Sequence, residues 1–344
     1  MLIIISNPAS GDGTGLQFVK QHVIPLIQHM GKYIEFETTG PGAAEQYAQQ
    51  IVQQHVNSEE PIDLIISGGD GTVHEIINGI GKTSCVIRLI LCPLGTANAL
   101  YSTHFPVDPT LSETEYRLLG VRAYLKNNFK PLIITETCLY TENHECVKSV
   151  LGVVVTSTAL HAAILHSAER LRATIKSLER FKLAAMENIT LWYKANLMLL
   201  SHNDVHPTVY DPNTDRFTAL SDDILTGPFA YFISTTNVDR LEPAFQISPL
   251  FSRSPPLLAE LDLVLVRPLR DPEVRADDEV SRTNFSSKLM NVLQSAYQQG
   301  AHVNMRYTET DASVNSDFIV EYIRATAWKW IPVIAFCAFI SRDV

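Results

Sequence analysis

Three glycine-bearing turns, each placed directly after a short apolar run, dominate the first hundred residues. Leu2–Ser6 leads into Asn7-Pro8-Ala9-Ser10-Gly11-Asp12-Gly13. The run 62–67 leads into Gly68-Gly69-Asp70-Gly71-Thr72, and the run 86–92 into Pro93-Leu94-Gly95-Thr96-Ala97-Asn98. Short β-branched runs closed by turn residues read as buried strands. Helix-period patterns lie between them. Leu16, Val19, Val23, Leu26, Ile27 and Met30 recur at spacings of three and four, and Val73, Ile76, Ile77 and Ile80 form one apolar face. Pro25 predicts a kink in the first pattern, and the polar stretch 46–54 reads as a further helix. Such alternation implies right-handed crossovers and a parallel sheet. The carboxyl ends of its strands share one edge, so the three turns converge there. Glycine lets backbone N–H groups approach a ligand closely, and a helix N-terminus favours an anion. The ligand these turns imply is a polyphosphate.

The pattern changes near residue 131. The runs 131–140, 149–157, 229–235 and 261–267 read as strands without regular helices between them. One long helical stretch is expected over about 168–200. The polar region 204–227 reads as loop, and the charged region 271–284 as an exposed loop. The expected fold class is therefore α/β: an N-terminal parallel-sheet nucleotide domain over 1–130 and a mostly β second domain over 131–344.

The 344 residues are 46% apolar and 19% charged, enough for a sizeable core. A net charge of −10 argues against a nucleic-acid binder and against a Lys/Arg-rich surface anchor. Five scattered cysteines without a CxxC pair suggest neither a disulfide framework nor a zinc site. The apolar stretch 331–340 is far shorter than the roughly 20 residues of a membrane span, and Leu2–Ile5 is too short for a signal peptide. The expectation is a soluble intracellular protein. Two familiar patterns are excluded. Gly81-Lys82-Thr83 lacks the P-loop's first glycine, because Ile76 stands there, and Leu16 occupies the third glycine position of a dinucleotide fingerprint.

The array N-P-A-S-G, S-G-G-D-G-T-V-H-E-I-I-N-G-I and P-L-G-T-A-N-A-L resembles the superfamily of diacylglycerol kinases and sphingosine (long-chain base) kinases. Arg180-Phe181-Lys182-Leu183-Ala184 and the segment 261–268 (LDLVLVRP) are more similar to the sphingosine kinase-like branch. The resemblance implies an ATP-dependent lipid kinase acting on a sphingoid base, with diacylglycerol as the alternative. It also implies a nucleotide domain followed by a sandwich-like lipid domain. ATP phosphates would lie against Gly68, Gly69 and Gly71, with Ser67 and Thr72 adding hydroxyls. Asn7, Pro8, Ser10, Gly11, Thr38, Gly95 and Thr96 would complete the site. Asp70 would act as general base on the lipid hydroxyl or join a Mg²⁺ network, and Glu75 would contact the nucleotide or orient Asp70. His161 and Glu169 fall where the lipid head group would sit. No metal ligands are assigned. Transient contact with intracellular membranes from a cytoplasmic protein, and a homodimer, are the implied associations.

Ordinary structural roles compete at each position. Asp70 suits a helix N-cap, Glu75 a first-turn acid facing the helix dipole, Asn98 a cap, and His161 a core histidine. Two departures stand out. Ala97 replaces the family's usual glycine, which the backbone tolerates away from positive φ. No Asp-Gly-Glu segment follows the run 321–325, which implies a shortened or catalytically weakened chain, or a nucleotide- or lipid-binding remnant. A soluble-substrate kinase of the NAD kinase type shares the GGDG turn, but N-P-A-S-G and the later segments disfavour it.

Overall fold

The computed structural model describes residues 1–344 except 57, 176, 203, 259, 308–317, 334–337 and 344, with the backbone alone over 338–343. The chain divides into two compact units. The first holds Met1–Leu132 with Leu151–Val153 and Leu241–Pro243, and the second holds the remainder.

In the first unit four strands form one parallel sheet: β1 (Leu2–Ser6), β2 (Tyr33–Glu37), β3 (Ile62–Gly68) and β4 (Ile87–Pro93), in the order β2-β1-β3-β4. β1 and β3 are buried along their whole length, as near-continuous Ile/Leu runs require. Its helices include α1 (Ala43–His55), α2 (Asp70–Ile80) and α3 (Ala99–His104). The kink expected at Pro25 is a π turn over Val19–Val23, in which the Ile24 N–H reaches back to the Val19 carbonyl. Proline cannot donate the next helical bond, and the widened turn just before it absorbs the mismatch. The return of Leu151–Val153 to this unit has a specific clasp. The Asn78 side chain accepts from Leu151 N–H at 2.9 Å and donates to the Leu151 carbonyl at 2.9 Å.

The second unit is built from two six-stranded sheets. One runs β10-β9-β14-β13-β12-β7 and the other β11-β8-β15-β16-β5-β6. Their ranges are β5 (Thr135–Tyr140), β6 (Cys146–Gly152), β7 (Val155–Thr158), β8 (Ala195–Leu200), β9 (Thr208–Asp211), β10 (Arg216–Ala219), β11 (Ile224–Thr226), β12 (Tyr231–Thr235), β13 (Leu261–Val266), β14 (Glu321–Ala325), β15 (Ala327–Pro332) and β16 (Ala338–Asp343). One apolar cluster takes alternate residues from both sheets: Leu197 and Leu199 of β8 and Trp328 of β15 against Phe232 of β12, Leu261, Leu263 and Leu265 of β13, and Ile323 of β14. That alternation makes a sandwich.

Three expectations need correction here. The single helix expected over 168–200 is two helices, α4 (Ala159–Leu171) and α5 (Glu179–Asn188), followed by strand β8. In β8 only Ala195, Leu197 and Leu199 are buried, a period of two hidden within a mostly apolar run. The polar region 204–227 contains β9, β10 and β11, each four residues or fewer and too short to show alternation. The charged loop expected over 271–284 ends in helix α6 (Glu279–Ala296). Its N-cap Asp278 accepts the Ser281 N–H at 2.8 Å, and its buried stripe begins only at Phe285, so its first turns look polar.

Two buried histidines give the second unit a pH signature. His161 and His302 are both held neutral by burial, with pKa values pushed down to about 4. Their ordinary value is about 6.5. The unfolded chain therefore binds protons that the folded chain refuses between about pH 6.5 and 4, and stability falls as pH drops through that window. Each should contribute about 3 kcal/mol to that loss. Denaturant midpoints measured from pH 7 to 4 should fall steeply, and His161→Gln should flatten the slope. An identical slope in the variant would refute the assignment.

Candidate functional site

The carboxyl ends of β1, β3 and β4 each run into a turn, and the turns touch through backbone. A Cβ on Gly95 would lie 2.3 Å from the Gly69 Cα, so the second and third turns pack with nothing but hydrogen between them. A Cβ on Gly11, which sits at φ +58°, would lie 2.3 Å from the Leu94 carbonyl oxygen, so the first turn abuts the third. Asn7 N–H donates to the Ser67 carbonyl at 2.9 Å, and its Nδ2 donates to the Thr72 Oγ1 at 2.9 Å, which ties the first turn to the start of α2. The structure thus brings Asn7, Ser10, Gly11, Ser67, Gly68, Gly69, Thr72 and Gly95 into one rim. Ser10, Ser67 and Thr72 are buried, and Ser67 Oγ has no hydrogen-bond partner. Thr38 is buried at the neighbouring strand end, where its N–H donates to the Ser6 carbonyl at 2.9 Å. Pro8 and Thr96 are half-buried in their turns, while Gly71 is exposed on the first turn of α2.

A short helix, Gly15–Phe18, starts at this rim together with α1, α2 and α3, and none of the four has a side-chain cap of its own. The N-cap positions are Gly42 for α1, Gly69 for α2 and Asn98 for α3. Asn98 is spent on the third turn. At φ 55° and ψ 50° its Oδ1 accepts Gly95 N–H at 3.0 Å and its Nδ2 donates to the Gly95 carbonyl at 2.8 Å. Carboxylates of α2 cap the neighbours instead. Asp70 accepts the Ala99 N–H at 2.8 Å and the Leu100 N–H at 3.2 Å, the first two amides of α3. Glu75 accepts the Ala44 N–H of α1 at 3.2 Å. The expected capping role of Asp70 is therefore real but directed at another helix, and Glu75 meets the α1 terminus rather than Asp70. Sequence periodicity carries no signal for such capping across helices.

The electrostatics follow from this packing. Asp70 keeps part of its surface open, yet loss of hydration pushes its carboxyl pKa up, against the opposing pull of the Ala99 and Leu100 N–H groups. Cys92, buried beneath the turns, has its thiol pushed up to about 12 by the same cause. Ala97 is not among the residues at positive φ, so a methyl group is tolerated there. Among the described residues no three His, Cys, Asp or Glu side chains cluster as a metal site.

His161 and Glu169 lie in the second unit and are not brought together. His161 is buried, its Nδ1 2.7 Å from Ser157 Oγ and its ring edge-on to Tyr231. Glu169 is exposed and pairs with Arg172 at 3.3 Å.

Residues 1–116 match the model of the diacylglycerol kinase catalytic domain. The match covers 116 of the 344 residues, so the likeness to that family is shown for this N-terminal part alone. The candidate lipid kinase YtlR of Bacillus subtilis is 38% identical over 96 residues, 27% of this chain and 29% of that protein. Human sphingosine kinase 2 is 28% identical over 118 residues, 32% of this chain and 17% of that protein. The match thus spans less than a third of the length of these relatives. A candidate diacylglycerol kinase of Bacillus anthracis shares the fold with a TM-score of 0.56 at 12% identity, covering 99% of this chain and 93% of that one. Gly95→Ala should drive the second and third turns apart. It should lower stability by about 1–3 kcal/mol and weaken binding of a fluorescent adenine nucleotide, checked by denaturation and titration. Unchanged affinity would show that the Gly69–Gly95 contact does not shape the site.

Proposed function

We propose that the chain is an ATP-dependent kinase that phosphorylates a lipid hydroxyl, a sphingoid base first among its substrates. The observation that carries this reading is the rim itself: three backbone-lined turns packed against one another, with the N-terminus of α2 lacking a side-chain cap. A helix end of that kind, flanked by glycine turns, suits phosphate. The nucleotide phosphates would lie on Gly68, Gly69 and Gly71, with Asn7, Pro8, Ser10, Gly11, Ser67, Thr72, Thr38, Gly95 and Thr96 around them. Mg²⁺ would arrive on the nucleotide and neutralise its phosphate charge, as ions of this kind keep most of their ligands from phosphate and water. Asp12 and Asp70 are the carboxylates that these turns offer it.

Phosphoryl transfer asks mainly for positioning and charge neutralisation. The lipid hydroxyl oxygen would attack the γ-phosphorus as the bond to the bridging oxygen breaks. Asp70 would take the hydroxyl proton. Each of its oxygens accepts one backbone N–H and keeps a second lone pair. The upward push on its pKa makes it a stronger base than an exposed aspartate.

Sequence likeness of the segments 180–184 and 261–268 to the sphingosine kinase-like branch favours a sphingoid base. His161 favours a second candidate. Neutral and buried, it offers a hydrogen bond but no counter-charge for an ammonium, which suits diacylglycerol. No helix among the described residues is long and apolar enough to cross a membrane. A cytoplasmic chain that meets the lipid surface transiently and pairs as a homodimer completes the proposal.

Purified chain incubated with labelled ATP, Mg²⁺ and a panel of sphinganine, diacylglycerol and NAD should label a lipid. Asp70→Asn should lower the rate by about 10²–10⁴ if it is the base. Nucleotide uptake without any labelled lipid would instead mark a binding remnant, and labelled NAD a soluble-substrate kinase.

A further inference from the structure

We propose that the segment leaving the helix Leu119–Leu125 is an anchoring surface for an anionic lipid bilayer. The lipid partner deepens the kinase reading above, on which it rests; the surface itself is read from charge and exposure.

Charge is unevenly spread along this chain. Its net charge is −10, yet no Asp or Glu occurs between Glu115 and Glu136, a span that holds Arg117, Arg122, Lys126 and Lys130. The helix sorts its residues by period. Leu118, Val121 and Tyr124 turn into the apolar cluster with Ile65 and Ile90. Arg122 and Leu125 are left on the outside. Lys126 and Lys130 are exposed, and neither forms an ion pair among the described residues.

The end of the helix presents these groups in a fixed order. Asn127, at φ 52°, takes the left-handed position just past it. Its N–H donates to the Tyr124 carbonyl at 2.8 Å, and the Asn128 N–H reaches the Ala123 carbonyl at 3.0 Å. That pair of bonds closes the helix and turns the chain back. Phe129 returns beside Tyr124, ring centroids 6.1 Å apart, with the Arg88 guanidinium 4.8 Å from its own ring centre. Arg88 is paired with Asp63, so it braces the ring while the two lysines supply the free charge. Phe129 stays 38% exposed and Leu125 36%. Cations alone would suit any polyanion. Large apolar side chains set among them suit a bilayer interface, where the ring and the leucine enter the headgroup layer and the lysine stems reach the phosphates. Each cation near such a surface strengthens binding about fivefold. Arg88 stands at the amino end of β4 and the third glycine turn follows its carboxyl end, about 20 Å away along the strand. Docking here leaves the glycine turns uncovered, so the surface holds the chain and does not admit the substrate.

Flotation of the full chain with phosphatidylcholine vesicles, with and without phosphatidylserine, tests this. The parent should partition onto the phosphatidylserine vesicles roughly tenfold or more better than onto phosphatidylcholine alone, and added salt should erase the difference. Lys126→Ala combined with Lys130→Ala should cut that partition roughly twentyfold. Leu125→Asn should lower it severalfold without changing its salt dependence. Both variants should keep the parent's denaturant midpoint and nucleotide affinity. Equal partition of the parent onto the two kinds of vesicle would overturn the proposal, as would equal partition of the parent and the double variant onto phosphatidylserine vesicles. Binding to polyglutamate in preference to either vesicle would also overturn it and assign the segment to an acidic protein. None of these results touches the kinase reading, whose own failure is a chain that floats with the vesicles yet labels no lipid.

Discussion

No side chain can stand between the second and third turns. A Cβ on either Gly69 or Gly95 would lie within 3 Å of the other turn's backbone. That contact sets the distance between the end of β3 and the end of β4, and α2 and α3 take their starting points from it. Once the turns are this close, the N-terminus of α3 falls within reach of α2's first residue, and Asp70 can cap it. Asn98, freed from capping, closes the third turn on itself through Gly95. The geometry of the rim is therefore a chain of consequences from one backbone approach.

Helix ends are the second organising constraint. Parallel strands followed by helices place several positive helix ends along one sheet edge. Each needs an acceptor, and glycine at the turn removes the usual local one. The chain resolves this unevenly. Asp70 and Glu75 both sit on α2, and each faces away from their own helix terminus toward a neighbour's. Two ends are thereby neutralised and tied down, while α2 keeps a glycine N-cap and no side-chain cap. An uncapped helix end of this kind suits an anion without any cationic side chain. That is consistent with the net charge of −10.

Much of the rim was legible in the sequence because glycine-bearing turns after apolar runs announce both strand ends and close approach. The extent of β1, the start of α2 at the GGDG turn, and the convergence of the three turns all follow from pattern and topology. The targets of Asp70 and Glu75 were not legible. A carboxylate in a first helical turn reads as a cap for its own helix, and only the spacing of neighbouring helices reveals that it serves another. The second unit was read less well for a related reason. Leu197 and Leu199 alternate with apolar residues that face the other way, so period two is masked by composition, and α6 begins with turns whose buried face carries no apolar residue. Short edge strands such as β10, with one buried face at most, leave no pattern long enough to detect. Of the apolar run 331–340, residues 334–337 lie outside the described part. The flanking β15 and β16 pair antiparallel, with Lys329 opposite Ile340, so residues 331–332 and 338–340 lie in one sheet.

The two units also differ in how they treat charge. The first pairs the buried Asp63 of β3 with a partly exposed Arg88 of β4 and sets other carboxylates at helix ends, where backbone N–H groups offset the lost hydration. The second buries ion pairs inside the sheets: Arg324 on β14 donates to Asp262 on β13 at 2.8 Å, with both side chains nearly excluded from solvent. Burial still pushes the Asp262 carboxyl up despite the Arg324 guanidinium. Such a pair contributes little net stability against an apolar replacement, but breaking it strands a charge, so it fixes the register of β13 against β14 more than it strengthens them. His161 and Tyr231, by contrast, are buried polar groups without a charged partner. Both stay neutral there, so their burial costs hydration but leaves no charge unpaired.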